Sequence, residues 1–346
     1  MQPSIRRFLK KIRSAALLAS AIFWFWCFYP ARTFSQARSK PMTIGYVGID
    51  APQLPAWFAK EAGIFQKNGL DVQLVNFTGG PIATAALISG DVAVTQVSGP
   101  SVVSANLKGA DTVFIAGGTI TLDYWLMSRR EIKTAEDLKG GNIGIGRFGG
   151  VNDAMLRFVL PKLGLTAGKD VTIRQMGGVP LRLAAMESGQ IQASLLSPPV
   201  TLSALKRGFN VLADLAALGM VYQHTAPATT RRFIRENPEA ARAYVKSQLE
   251  SVHRLKTDRE GGIRVLAKYI PGLKDRDVLE KAYDRAITDA QLPRKQYPTM
   301  EGIRAILESL ADSEPKARTA KPDEFVDTRF IRELDQSGFI DNLYRR

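Results

Sequence analysis

The stretch Asp137-Leu138-Lys139-Gly140-Gly141-Asn142-Ile143-Gly144-Ile145-Gly146-Arg147-Phe148-Gly149-Gly150-Val151-Asn152 decides how the chain is read. A short apolar strand runs into a glycine-rich loop and then into a helix. Ile143 and Ile145 alternate with glycines, so the backbone can come close to whatever lies above it. Asn152 and Asp153 precede apolar positions at Met155, Leu156, Val159 and Leu160, which predicts a helix capped by these two side chains. The free N–H groups of such a helix start favour an anion, and Arg147 adds a full charge beside them.

The same strand, turn and helix pattern extends in both directions. Before it, Met42–Val47, Leu70–Val75, Val92–Gln96 and Thr112–Ala116 read as strands, and Ala56–Gly63 and Ala83–Ser89 as helices. After it, strands are predicted at Val171–Gln175, Gln192–Leu196 and Asn210–Ala213, with a helix over Val179–Ser188 between the first two. This alternation implies α/β units built on mainly parallel sheets, written twice in series. Beyond Pro238 the texture changes to helices with charged faces, the last predicted over Phe325–Leu334.

At 346 residues the chain suits two domains of ordinary size. Residues 1–37 are set apart: Arg6, Arg7, Lys10, Lys11 and Arg13 are followed by the apolar run Ala15–Tyr29 and by Ser35-Gln36-Ala37. This is the pattern of a Sec signal peptide, with a retained membrane anchor as the alternative, and it predicts a periplasmic mature protein. Cys27, the single cysteine, lies inside it, so the mature chain holds no disulfide. Removing the six basic residues of this segment leaves 41 basic and 33 acidic residues, a net +8. The charges are dispersed and the chain is exported, so a small anionic solute, and not nucleic acid, is the expected partner.

Catalytic patterns are thin. Gly144-x-Gly146-x-x-Gly149 matches the dinucleotide fingerprint, yet the next strand ends in Gln175-Met176-Gly177-Gly178 where an acid should hold a ribose. His224 and His253 have no metal-ligand spacing and read as core or surface residues. No cofactor, metal site or catalytic residue is predicted. What remains is a series of loops rich in small and hydroxyl residues at strand ends, where open α/β sheets bind ligands.

Pro55-Ala56-Trp57-Phe58-Ala59-Lys60-Glu61-Ala62-Gly63-Ile64-Phe65, with Asn68-Gly69-Leu70-Asp71-Val72, resembles the opening of the substrate-binding proteins of nitrate, sulfonate and taurine type ABC transporters, which include relatives that bind thiamine precursors. Asp137-Leu138-Lys139-Gly140, Leu163-Gly164-Leu165, Pro198-Pro199 and Phe325-Val326-Asp327 are similar to the same family. The resemblance implies a two-lobed periplasmic binding protein of type II, with two hinge crossings: lobe I from 41–126 and 223–346, and lobe II from 127–222. It implies a solute receptor, expected to be a monomer, that serves an inner-membrane permease and its ATPase; the ligand does not transfer with the fold, and Arg147 with the helix N-termini favours a sulfonate- or carboxylate-like anion. The alternatives are thiamine-pyrimidine-precursor binding or synthesis, and a periplasmic sensor. By position, the implied ligand-binding residues are Ile49, Asp50, Gln53, Gly79, Gly80, Gln96, Ser98 and Gly99 on one wall. Arg147, Gly149, Gly150, Val151, Asn152, Gly178 and Ser197 form the other, and Asp123 and Tyr124 lie near the first crossing. Trp57, Tyr46 or Tyr124 is a candidate to stack on an aromatic ligand, with Trp57 favoured as core because its helix has an apolar face with Phe58 and Ile64 nearby.

Overall fold

The computed structural model describes residues 41–218 and 221–345, so the predicted signal peptide lies outside the described residues. Two sheets flanked by helices organise this region. The first contains β1 (Met42–Val47), β2 (Val72–Phe77), β3 (Val94–Ser98), β4 (Thr112–Phe114), β5 (Thr119–Thr121) and β11 (Val221–Thr230). The second contains β6 (Trp125–Ser128), β7 (Asn142–Ile145), β8 (Thr172–Gln175), β9 (Ala193–Leu196) and β10 (Asn210–Asp214). Trp125 and Leu126, placed before the expected 126/127 boundary, are therefore strand residues of the second sheet, and Val221 and Tyr222 belong to the first.

The sheets are mixed, which corrects the expectation of mainly parallel ones. β1 pairs in parallel with β2 and β3, and β7 in parallel with β8 and β9. β11 runs antiparallel to β3, β4 and β5, and β6 antiparallel to β9 and β10. The reason is topological. The parallel strands end at the edge facing the other sheet, so a chain arriving from that sheet enters at the same edge and must run away from it. β6 and β11 are the strands on which the chain arrives.

The ten-residue β11 is the one long element that the sequence pattern missed. Its residues Val221-Tyr222-Gln223-His224-Thr225-Ala226-Pro227-Ala228-Thr229-Thr230 do not alternate, and a proline inside a strand ordinarily signals an edge. Burial overrides this: β11 sits between β3 and β4, with Ala226 and Ala228 fully buried. The expected last helix is also broken up. Phe325 is buried at the end of a short 3-10 turn, and helices follow at Arg329–Gln336 and Phe339–Leu343.

Three apolar clusters hold the layers together. One joins the sheets to each other through residues such as Val97, Leu126, Ile143 and Leu156. A second packs the C-terminal helices onto the first sheet through Trp57, Tyr244, Leu266 and Ile331. The third covers the outer face of the second sheet with Leu183, Met186 and Ala204. Trp57 is wholly buried and stacks on Tyr269 at 4.7 Å, with Tyr46 edge-on at 5.6 Å. Trp57 is core, as the apolar face of its helix predicts, and neither Trp57 nor the partly buried Tyr46 lines the cavity between the two sheets. Among the described residues, no helix is long and apolar enough to cross a membrane.

Candidate functional site

Because β1, β2 and β3 are in parallel register, their ends bring Val47–Gln53, Phe77–Gly80 and Ser98 to one edge. The ends of β7 and β8 bring Gly146–Asn152 and Gly177–Arg182 to the facing edge. Between them is a cavity of about 350 Å³, within the usual range for small-molecule sites. The walls touch across it. The Ser197 hydroxyl donates to Asp50 Oδ2 at 3.0 Å, and a Cβ added at Gly79 would lie 3.1 Å from the Arg147 side chain.

The first wall contributes Ile49, Asp50, Gln53, Gly79, Gly80 and Ser98 to the lining. The second contributes Arg147, Gly150, Val151, Asn152 and Gly178, and Tyr124 joins them from the crossing. The remaining predicted residues lie elsewhere. Gln96 donates behind the sheet to Tyr244 Oη at 3.1 Å and to Gln248 Oε1 at 3.0 Å. Gly99 packs against Ile306 and the carbonyl of Gln223. Asp123 accepts from Arg285 Nε at 2.7 Å. Gly149 is an exposed turn residue with φ +73°, where a glycine avoids backbone strain. Ser197 reaches the cavity only through Asp50.

The helix after the loop starts at Val151 with Gly150 as its cap residue, at least two residues earlier than a cap at Asn152 or Asp153 predicts. Asp153 instead accepts from the Gly149 N–H at 2.9 Å and from Arg157 Nε at 2.9 Å, tying down the turn that presents Arg147. Arg147 Nε is buried without a hydrogen-bond partner.

Among the lining residues that were not anticipated, two carry ionisable side chains. Arg182 is 2% exposed, and its three nitrogens donate to Ser194 Oγ at 3.0 Å, Gly177 O at 2.8 Å and Leu195 O at 2.9 Å. Its signal was present: Val179, Arg182, Leu183 and Met186 share one helical face, so a charge stands among core positions. His224 borders the cavity and is buried, with Nε2 3.2 Å from Tyr124 Oη. It was hidden because β11 was not recognised.

Burial dominates the titration of this floor. Desolvation pushes Asp50 up to about 6, against the hydrogen bond from Ser197 and the charge of Arg182, which pull it down. It lowers Arg182 to about 10, the charge of Asp50 opposing, and His224 to about 4, so the imidazole is neutral at neutral pH. Burial also raises the Tyr124 phenol, which stays protonated. The floor thus sets a fixed cation near, but not bonded to, a carboxylate one of whose oxygens, Oδ1, is unpartnered. Among the described residues, no cluster of three or more His, Cys, Asp or Glu side chains could hold a metal.

The chain is 25% identical over 260 residues to a proposed binding protein of Brucella abortus, covering 74% of this chain and 80% of the relative. A Bordetella bronchiseptica structure superposes with TM-score 0.74 at 23% identity, over 86% of this chain and 98% of that one. The alkanesulfonate-binding protein of Xanthomonas axonopodis pv. citri bound to MOPS gives TM-score 0.65 at 21% identity, covering 83% and 96%. The periplasmic nitrate-binding protein of Synechocystis PCC 6803 gives 0.68 at 15%, covering 87% and 89%. The Brucella, Xanthomonas and Synechocystis proteins are named as binding proteins, not as enzymes, and the shared fold is that of periplasmic binding proteins. The NMT1/THI5-like family matches residues 53–258, more than half of the chain, and this protein belongs to that family.

Proposed function

We propose that this protein is the exported solute-binding component of an ABC importer, holding a small organic anion of sulfonate or carboxylate type between its two lobes. A first lobe carrying the first sheet, with Val221 and Tyr222 in it, and a second carrying the second sheet, with Trp125 and Leu126 in it, close on the solute and pass it to an inner-membrane permease driven by its ATPase. The observation that carries this reading is the cavity itself, lined by strand-end loops of both sheets. Contacts drawn from two lobes strengthen only in the closed form, so the solute shifts the population toward closure. The unpartnered Arg147 Nε at the mouth supports an anion, because a guanidinium offers charged donors that suit a sulfonate or carboxylate. The receptor is a periplasmic monomer and performs no chemistry on its solute.

A thermal-shift screen of the mature chain against alkanesulfonates, aromatic carboxylates, nitrate and thiamine-pyrimidine precursors tests this. A sulfonate or carboxylate at about 100 times its Kd stabilises the protein by about 2.7 kcal/mol. Stabilisation by the pyrimidine alone would replace the anion reading, and no shift with any compound would remove it.

A further inference from the structure

We propose that Arg285 is a hinge clamp: one guanidinium, carried by the first lobe, ties the two chain crossings together and so sets how freely the lobes open. The proposal rests on the reading that two lobes close on a solute, and adds a residue outside the cavity that governs the motion.

The chain leaves the first sheet between β5 and β6 and returns to it between β10 and β11. Trp125 of β6 pairs opposite Asp214 of β10, and the Leu215 N–H donates to the Tyr124 carbonyl at 2.9 Å, so the two crossings lie side by side. Arg285 stands in the last turn of the helix Arg276–Ala286, whose apolar face packs in the cluster that covers the first sheet. Its Nε donates to Asp123 Oδ1, on the first crossing, at 2.7 Å. Nη2 lies 3.9 Å from Asp214 Oδ2, where the second crossing begins, and the guanidinium lies 5.5 Å from the centre of the Trp125 ring. One side chain therefore touches both crossings and the strand that opens the second sheet.

The charges give this contact its consequence. The Asp123 side chain is 9% exposed, and burial raises its carboxyl, with Arg285 pulling it down and Asp214 pushing it up. The two carboxylates thus repel each other across the crossings, and among the described residues Arg285 is the one cation within ion-pair distance of either. Without Arg285 a nearly buried carboxylate is left unpaired and the crossings lose their shared partner. The segment that follows anchors the first crossing where it leaves the first sheet: Gln291 accepts from the Ile120 N–H and from Thr121 Oγ1, each at 2.9 Å. Arg285 carries that anchorage past the crossing onto Trp125 and Asp214. A hinge bends at a few residues between its rigid bodies, so opening has to move Trp125 and Asp214 relative to Arg285. Arg285, Asp123, Trp125 and Asp214 are all absent from the cavity lining, so the clamp acts on a solute through the open and closed populations.

The mature chain holds no cysteine, so spin labels can be placed at Gln73→Cys and Thr172→Cys, exposed positions on the edge strands β2 and β8 of the two sheets. Pulsed electron–electron resonance between them, on the solute-free mature protein, tests the proposal. Arg285→Ala loses an ion pair and a cation–π contact across the crossings, and the weight of long distances relative to short ones should rise about fivefold. Arg285→Lys, whose ammonium cannot fork between two carboxylates, should recover part of the loss. Asp214→Asn keeps an acceptor for the Ala216 N–H and leaves Asp123 paired, so it should reproduce part of the rise and keeps the test standing if Arg285→Ala fails to fold. Lys206→Ala breaks the exposed pairs between the start of the same helix and the second lobe, and should leave the distances unchanged. Distances that stay as in the wild type in both Arg285→Ala and Asp214→Asn, or a rise of equal size in Lys206→Ala, overturn the clamp. Because the distances are read without solute, failure of every compound in the thermal-shift screen removes the receptor reading and not the clamp. Unchanged distances in the variants beside stabilisation by a sulfonate or carboxylate do the reverse.

Discussion

The floor and the mouth of the cleft are built differently. On the floor Asp50, Arg182, Ser197, Tyr124 and His224 are all less than a tenth exposed, and most of their polar atoms are bonded to one another or to backbone. At the mouth Arg147 is half-buried, and its neighbours Phe148 and Leu181 are 48% and 61% exposed. Folding fixes the floor, whereas the solute must order the mouth. Mutations on the floor should therefore register in stability, and those at the mouth in affinity.

Arg182 gives the largest contrast. Arg182→Leu leaves the carbonyls of Gly177 and Leu195 and the Ser194 hydroxyl without their donor, and deprives Asp50 of its nearest cation. Loss of one member of a buried charged network costs about 3 to 5 kcal/mol, read as a lower urea midpoint at constant m-value. Arg182→Lys should recover little, because one ammonium cannot span three acceptors set for a guanidinium fork.

The floor also titrates in a way the mouth does not. The Asp50 carboxyl is raised from 3.8 to about 6, so its contribution is most favourable below pH 3.8 and is lost as pH rises through 6. The His224 imidazole is lowered from 6.5 to about 4, so its contribution is present above pH 6.5 and is lost as pH falls through 4. The two slopes oppose each other in nearly one window. Relative to wild type, Asp50→Asn should gain stability as pH rises from 4 to 6, by up to about 3 kcal/mol, and His224→Gln should lose a similar amount. Melting curves across this range check the signs. Parallel profiles for the two variants would show that the floor residues do not titrate as buried groups.

Arg147→Ala should be silent in stability and audible in affinity. Losing one charged hydrogen bond weakens an anionic solute by about 1.5 to 3 kcal/mol. An exposed-side truncation shifts folding by about 0.5 kcal/mol or less. Unchanged calorimetric affinity for a sulfonate that does bind would remove Arg147 from the mouth.

This division also explains what the amino-acid sequence disclosed. Local signals placed the parallel strands and the loops at their ends, because Ile143-Gly144-Ile145-Gly146 or Met42–Val47 carry the pattern of their own structure. The mouth was legible for the same reason: Arg147 and Gly150–Asn152 sit in a glycine-rich turn beside a helix start. The floor was not. Arg182 lies in a helix and His224 in a strand, and each gains its role from contacts with sequence-distant residues. Asp123 and Gln96 show the opposite case: Asp123 stands in a loop and Gln96 near the end of β3, but their side chains are claimed by Arg285 and by Tyr244 and Gln248 of the C-terminal helices. Nothing near them in the chain announces those partners.

Two links between the lobes set the smallest effects and bring the contrast to a single measurement. Ser197 on the floor bonds to Asp50, and on the outer surface Lys206 reaches Asp275 at 2.7 Å and Asp277 at 3.1 Å. Both connect a segment beside the second sheet to one beside the first, and the outer link has two charge pairs against one neutral donor. Number and charge would favour Lys206, but these side chains are 43 to 50% exposed, where screening and side-chain entropy cancel most of the attraction. Ser197→Ala leaves a second buried oxygen of Asp50 unpaired and should cost about 1 kcal/mol or more. Lys206→Ala should leave the melting temperature where it was, in low salt as in high. A larger loss from Lys206 than from Ser197 would mean that the lobes are held together at their surface, and that the floor is not the part of the cleft fixed by folding.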